Sequence, residues 1–164
     1  MHAQWEDKNL ITPLGYKKLS DEAKRLWTVE RPKIVDEVHQ AALQGDRSEN
    51  AEYIYGKKKL REIDKRLRFL NQRLEKAKII DPANIKDREK VQFGATVVIE
   101  NELGLVKSYQ IVGEDETDPS QQKISWKSPI GRGLLQKKID DNIEVITPNG
   151  TLEFTILSIE YPVS

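Results

Sequence analysis

The stretch Leu60–Ala77, LREIDKRLRFLNQRLEKA, decides how this chain is read. Its apolar residues are Leu60, Ile63, Leu67, Leu70, Leu74 and Ala77, spaced 3, 4, 3, 4 and 3 apart. This is a heptad pattern: a helix with one narrow apolar edge, which needs a second helix laid along it. Extended outward, the helix runs from about Glu49 to Ile79. Before it, Gly45 is a natural helix stop. The helix that ends there opens at Thr12-Pro13, with Thr as cap and Pro at the first helical position. Good helix formers continue to about Leu43, with Leu19, Ala23 and Leu26, then Trp27, Ile34, Val38 and Ala41, as the apolar positions. Pro32 removes one ladder hydrogen bond. The spacing resumes beyond it, so it reads as a kink in a continuous helix, with two separate helices as the alternative. Two helices of about 30 residues each, joined by a few residues, form an antiparallel coiled-coil hairpin about 45 Å long.

Asp81-Pro82 ends this pattern. The expected domains are therefore 1–80, a helical hairpin, and 81–164, a small antiparallel β domain, with 82–92 as linker. In the second, Ala95 to Glu100 and Val106 to Val112 flank a turn at Asn101–Gly104, and Lys123 to Trp126 is a short strand. Ser128-Pro129 starts a helix to about Lys138. Ile143–Thr147 and Thr151–Tyr161 form a hairpin around Pro148-Asn149-Gly150. The inward phase slips between Ile156 and Leu157, the mark of a β-bulge. The fold class is α+β.

Charged residues make up 33% and hydrophobic residues 37% of the chain. A two-helix arm has little interior, which accounts for so polar a composition. The zero net charge is divided: residues 1–80 hold 18 Lys+Arg against 13 Asp+Glu, and residues 81–164 hold 9 against 14. The basic half is the candidate for nucleic acid. There is no cysteine, so disulfides and thiolate metal sites are excluded, and two histidines, His2 and His39, cannot build a histidine-rich zinc site. No apolar run approaches the roughly 20 residues of a membrane span. The first residues carry Glu6, Asp7 and Lys8 and lack a signal-peptide core, so a cytoplasmic protein with no membrane partner is expected.

Three constellations could carry chemistry. At the hairpin tip, Gly45-Asp46-Arg47-Ser48-Glu49-Asn50, Asp46 has the chemistry of a helix cap and Glu49 three residues later that of a capping box. The same two carboxylates could hold a hard cation such as Mg²⁺, given a partner for the remaining ligands. On the second helix, with Leu60 placed at 0°, Lys57, Lys58, Arg61, Lys65 and Arg68 fall between about 60° and 160°, beside the seam. This is either a solvated face or a surface for an anion. Tyr53 and Tyr55, between tip and cations, are packing residues or stacking surfaces for bases. Third, Ser128-Pro129-Ile130 has the chemistry of a helix start. Trp5, Trp27 and Trp126 read as packing residues and His39 as a surface residue.

Taken together, these residues resemble a known family. Gly45 to Tyr53 is similar to the tip motif of the Gre transcript-cleavage factors. Trp27, Glu30-Arg31-Pro32 and Lys57 to Asp64 resemble its GreB branch, and Ser128 to Leu135 resembles the family's C-terminal signature. The resemblance implies a coiled-coil hairpin followed by an FKBP-like domain. It implies a factor that enters the secondary channel of bacterial RNA polymerase when backtracking has extruded the nascent RNA 3′ end. Asp46 and Glu49 would there share a Mg²⁺ with the polymerase, none being bound by the free protein, and promote the polymerase's own RNA cleavage. The chain would then be an activating cofactor acting as a monomer, not a free-standing enzyme. Lys57, Lys58, Arg61, Lys65 and Arg68 would grip the RNA, and Ser128 and Pro129 would dock at the channel rim. Gly56 and Lys127 depart from relatives: the first is expected to loosen the second helix by about 1 kcal/mol, the second to alter docking. Gly133 and Asp140-Asp141 look partly GreA-like. The rival expectations are a Gre-like channel binder that inhibits polymerase, a prolyl-isomerase or chaperone-type protein, and an arm that binds RNA without chemistry.

Overall fold

A computed structural model describes residues 8–45 and 49–162. It divides into two compact units: Lys17–Lys76, which is helical, and the residues before it together with those from Ala77 onward.

The helical unit is a hairpin. Thr12 caps α1 (Pro13–Arg25) by accepting at Oγ1 from the Gly15 N–H, 3.1 Å. A single π turn, Leu26–Glu30, follows, and α2 (Arg31–Ala42) continues from it without a break in helical backbone. The π turn explains how Pro32 is accommodated. Pro32 has no N–H to give and its ring crowds the carbonyl one turn back. The wider turn relieves that crowding, and Arg31 donates to the Leu26 carbonyl five residues earlier. It also inserts one residue into the seam. The inward positions are Leu19, Leu26, Ile34 and Ala41, spaced 7, 8 and 7. Trp27, seven before Ile34 and so placed in the seam by the heptad count, is instead 61% exposed. The Arg31 guanidinium lies 5.5 Å from its ring centre.

The second long helix, α3 (Ala51–Glu75), presents Gly56, Ile63, Leu67 and Leu70 to the interior. Ion pairs between the helices help fix their stagger, among them Arg31 with Asp64, 2.8 Å, and Arg66 with Glu22. The hydrogen bond from Arg66 holds the Glu22 carboxyl below the usual carboxylate range. Gly56 does more than loosen the helix. A Cβ built on it would sit 2.6 Å from Val38 Cγ2, so the missing side chain is what lets the two backbones approach. Gly56→Ala is therefore expected to destabilise the protein by about 1–2 kcal/mol in chemical denaturation, although Ala is the better helix former. Adding Val38→Ala should recover the loss.

The sheet unit begins with β1 (Asn9–Ile11), which pairs in parallel with β2 (Ala77–Ile79). Neither strand was legible as such, and α3 ends at Glu75 instead of running to Ile79. Glu116 ties the residues after β1 to the sheet. Its carboxylate accepts from the N–H groups of Thr12 (3.1 Å) and Gly113 (2.9 Å) and from the Thr12 hydroxyl. Five further strands form one sheet: β3 (Thr96–Asn101), β4 (Val106–Val112), β5 (Lys123–Ser125), β6 (Asn142–Thr147) and β7 (Gly150–Glu160). Their order is β5-β4-β3-β7-β6. This sheet is mixed, where an antiparallel one was expected, because β5 runs parallel to β4. Two 3₁₀ turns, Glu114–Glu116 and Pro119–Gln121, carry the chain back before β5, with Gln122 in the left-handed conformation at their end. The bulge is where the pattern put it: Val98 pairs with Ser158 and Ile99 with Ile156, leaving Leu157 out of register. Phe93, Val97, Ile99, Ile111, Trp126, Leu134, Val145 and Ile156 are the centre of the core. The short helix α4 (Pro129–Leu134) stops four residues before Lys138, its run weakened by Gly131 and Gly133.

Candidate functional site: the hairpin tip and its cation row

Asp46 and its neighbours Arg47 and Ser48 lie outside the described residues. The residue that caps α3 is Asn50, whose side-chain oxygen accepts from the Tyr53 N–H at 3.1 Å. The Asn50 side-chain nitrogen donates to the Ala41 carbonyl, 2.7 Å away in the last turn of α2. One amide thus holds the end of one helix to the start of the other. This corrects the capping-box reading, since Glu49 stands one residue before the cap and not three residues inside the helix. Its carboxylate is exposed at the tip, and the work assigned to it as a helix-stabilising group is done by its neighbour. Asn50 was missed because Asp46 and Glu49 offered a complete cap by themselves; the signal was an Asn directly before the helical run.

Along α3, Lys58, Arg61, Lys65 and Arg68 are exposed and Lys57 is half-buried. Among the described residues none of the five has an ion pair or hydrogen bond. The contrast with Arg31 and Arg66 is informative. Cations needed for the hairpin's own stability are matched to Asp64 and Glu22, while those in the row are left to solvent. Helix neighbours of like charge repel by a few tenths of a kcal/mol per pair. Glu62 and Asp64, three or four residues from members of the row, offset this, yet among the described residues neither closes an ion pair with it, so the row is open to a counter-charge from elsewhere. Tyr53 is half-buried, whereas Tyr55 is 65% exposed.

The third constellation belongs to the sheet unit. Ser128 caps α4: Oγ accepts from the Gly131 N–H at 3.1 Å and donates to the Ser125 carbonyl at 2.6 Å. Its hydroxyl is occupied, and Pro129 is the exposed member of the pair. A Cβ on Gly131 would stand 2.3 Å from the Ser125 carbonyl oxygen, so glycine is required for this turn to close. Lys127 is not a loose cation. It pairs with Glu114 at 2.9 Å and lies 5.1 Å from the Trp126 ring centre, which neutralises much of the charge it introduces.

Among the described residues no three Asp, Glu or His side chains come together as a metal site. Glu49 is a hard oxygen donor of the kind Mg²⁺ takes. With Asp46 it supplies two carboxylates, fewer oxygens than the octahedron of Mg²⁺ takes, so such an ion needs further ligands from water or a partner. No helix among the described residues is long and apolar enough to cross a membrane.

Comparison with known proteins gives two family matches. The model described as "Transcription elongation factor, N-terminal" matches residues 9–79, and that described as "Transcription elongation factor, GreA/GreB, C-term" matches residues 86–161. The chain is 53% identical over 153 residues to the transcription elongation factor GreB of Pasteurella multocida, covering 93% of this chain and 96% of that one. To the GreB of Haemophilus ducreyi it is 52% identical, covering 93% and 94%. Among solved structures, the GreA factor homolog 1 of Thermus thermophilus is similar at a TM-score of 0.43 and 24% identity, covering 93% and 99%.

Proposed function

Because this chain belongs to the GreA/GreB family of transcription elongation factors, we propose that it acts on bacterial RNA polymerase by carrying its hairpin tip into the secondary channel. There it stimulates the polymerase's own cleavage of backtracked RNA. The observation that carries this reading is the division of labour at the tip: Asn50 does the capping, and Glu49 is left exposed just before it. An ion shared by Asp46, Glu49 and the polymerase would supply Lewis-acid activation of a water for phosphodiester hydrolysis. The chain's own contribution is to bring two negative oxygen donors to the reacting phosphate and hold them there. It is thus an activator and not itself a nuclease, and one copy suffices. It works in the cytoplasm, on the polymerase and the nascent RNA 3′ end.

Lys57, Lys58, Arg61, Lys65 and Arg68 hold the phosphates of the extruded RNA. Support comes from their lack of partners among the described residues, which leaves them open to a phosphate backbone as counter-charge. Arg61→Gln with Lys65→Gln is expected to weaken single-stranded RNA binding and to flatten the plot of log affinity against log salt by roughly 1.4, about 0.7 per phosphate contact. Fluorescence anisotropy over a salt series measures it. Pro129 and the capped turn at Ser128 form the docking point of the sheet unit, which takes an FKBP-like arrangement of sheet and short helix.

The test is direct. A stalled, backtracked elongation complex with end-labelled RNA is incubated with Mg²⁺, with and without the protein. Release of a short 3′ fragment should accelerate by orders of magnitude. No acceleration at saturating protein would reject cleavage, and slowed synthesis in its place would identify an inhibitor that uses the same hairpin.

A further inference from the structure

Between the tip and the cation row, α3 exposes two apolar side chains in succession: Ile54, 51% exposed, and Tyr55, 65% exposed. On the wheel with Leu60 at 0°, Ile54 falls at about 120°, inside the cation sector, and Tyr55 at about 220°, about 60° beyond its edge at Lys58. Lys58 is four residues after Ile54 and three after Tyr55, so all three share one patch of helix surface. The other aromatics of this unit are occupied. Tyr53 is half-buried and has partners of its own. Trp27 lies under Arg31, and Phe69 lies 5.2 Å from the Arg66 guanidinium. Tyr55 has neither a hydrogen bond nor a ring contact among the described residues. A bare aromatic and a bare aliphatic side chain at the end of a row of partnerless cations is the pattern of single-strand binding. The backbone follows the charge and a base rests on the ring, without sequence preference, because every base has a π face.

We propose that Tyr55, flanked by Ile54, is a stacking platform for one unpaired base of single-stranded RNA whose phosphates lie along Lys58, Arg61 and Lys65. This rests on the reading of the cation row as an RNA surface. Stacking and charge have different signatures, which separates the two claims. The full-length chain is titrated into a short uridine-rich RNA carrying one 2-aminopurine, following both anisotropy and 2-aminopurine quenching over a salt series. The proteins are wild type, Tyr55→Phe, Tyr55→Ala and Arg61→Gln. Tyr55→Ala should weaken binding about tenfold and remove the quenching while leaving the salt slope unchanged. Tyr55→Phe should behave as wild type. Arg61→Gln should keep the quenching and lower the slope by about 0.7. Circular dichroism should show equal helix in all four. If Tyr55→Ala binds and quenches as wild type while the salt slope is normal, the platform is overturned and the cation row stands. If wild type shows no salt-dependent binding at all, the row reading fails and takes the platform with it.

Discussion

The double substitution Asp46→Asn with Glu49→Gln is expected to lower stimulated RNA cleavage by at least about 100-fold while leaving the affinity for polymerase unchanged. Both changes keep the shape of the side chain and remove its charge. Substituting groups that only orient a metal ligand already costs 10–100-fold, so removing two carboxylates proposed as direct ligands sets a floor at the upper end of that range. The structure makes the experiment interpretable. Had Glu49 been part of the helix cap, Glu49→Gln would have disturbed the start of α3, and lost activity would have mixed chemistry with folding. Since Asn50 holds the cap, the thermal melt of the double variant should match wild type. Cleavage is read on a backtracked complex, and binding by competition with wild type. Full activity in the double variant would mean that the tip carboxylates are bystanders.

The second large effect is expected at Asn50 itself. Asn50→Ala removes the cap on α3, worth about 1 kcal/mol, and the hydrogen bond to the Ala41 carbonyl, worth about as much again. The stability loss is modest, but the geometric loss is greater. The turn carrying Glu49 is closed by that one amide at both ends, and a displacement of about 1 Å at a reacting centre can cost on the order of 100-fold in rate. Cleavage should therefore fall far more than the melting temperature does. Asn50→Asp separates the two bonds. It keeps an acceptor for the Tyr53 N–H but has no donor for Ala41, and it should fall between Ala and wild type. Equal cleavage by Asn50→Ala and wild type would show that the tip does not need this closure.

The interior of α3 was legible in the sequence because heptad spacing survives in Ile63, Leu67 and Leu70, all buried. The first helix was legible in its extent and at Leu19, Leu26, Ile34 and Ala41, and was misread at Trp27. A π turn adds one residue without changing composition, so a count by sevens from Ile34 lands on Trp27, and nothing in the letters tells a seam residue from its neighbour. The strands β1 and β2 are three residues each, too short to show alternation, and they find each other only through the fold. The direction of β5 was hidden for the same reason. At the tip the residue types were visible but their division of labour was not, because Asp, Glu and Asn are all competent caps and only the backbone says which is used. The cation row could be read from spacing. That its members lack partners among the described residues, while Arg31 and Arg66 have them, could not.

The short ladder of β1 and β2 has a consequence for how such an arm changes over evolutionary time. Paired strands lie about 4.8 Å apart, so this ladder holds the two ends of the helical excursion side by side. Closing a loop costs only about 0.6 kcal/mol more for each doubling of its length. Matched insertions in both helices, a whole heptad at a time, would therefore move the tip outward by about 10 Å at little thermodynamic penalty and without touching the sheet. Reach is thus a property that selection could adjust separately from anchorage.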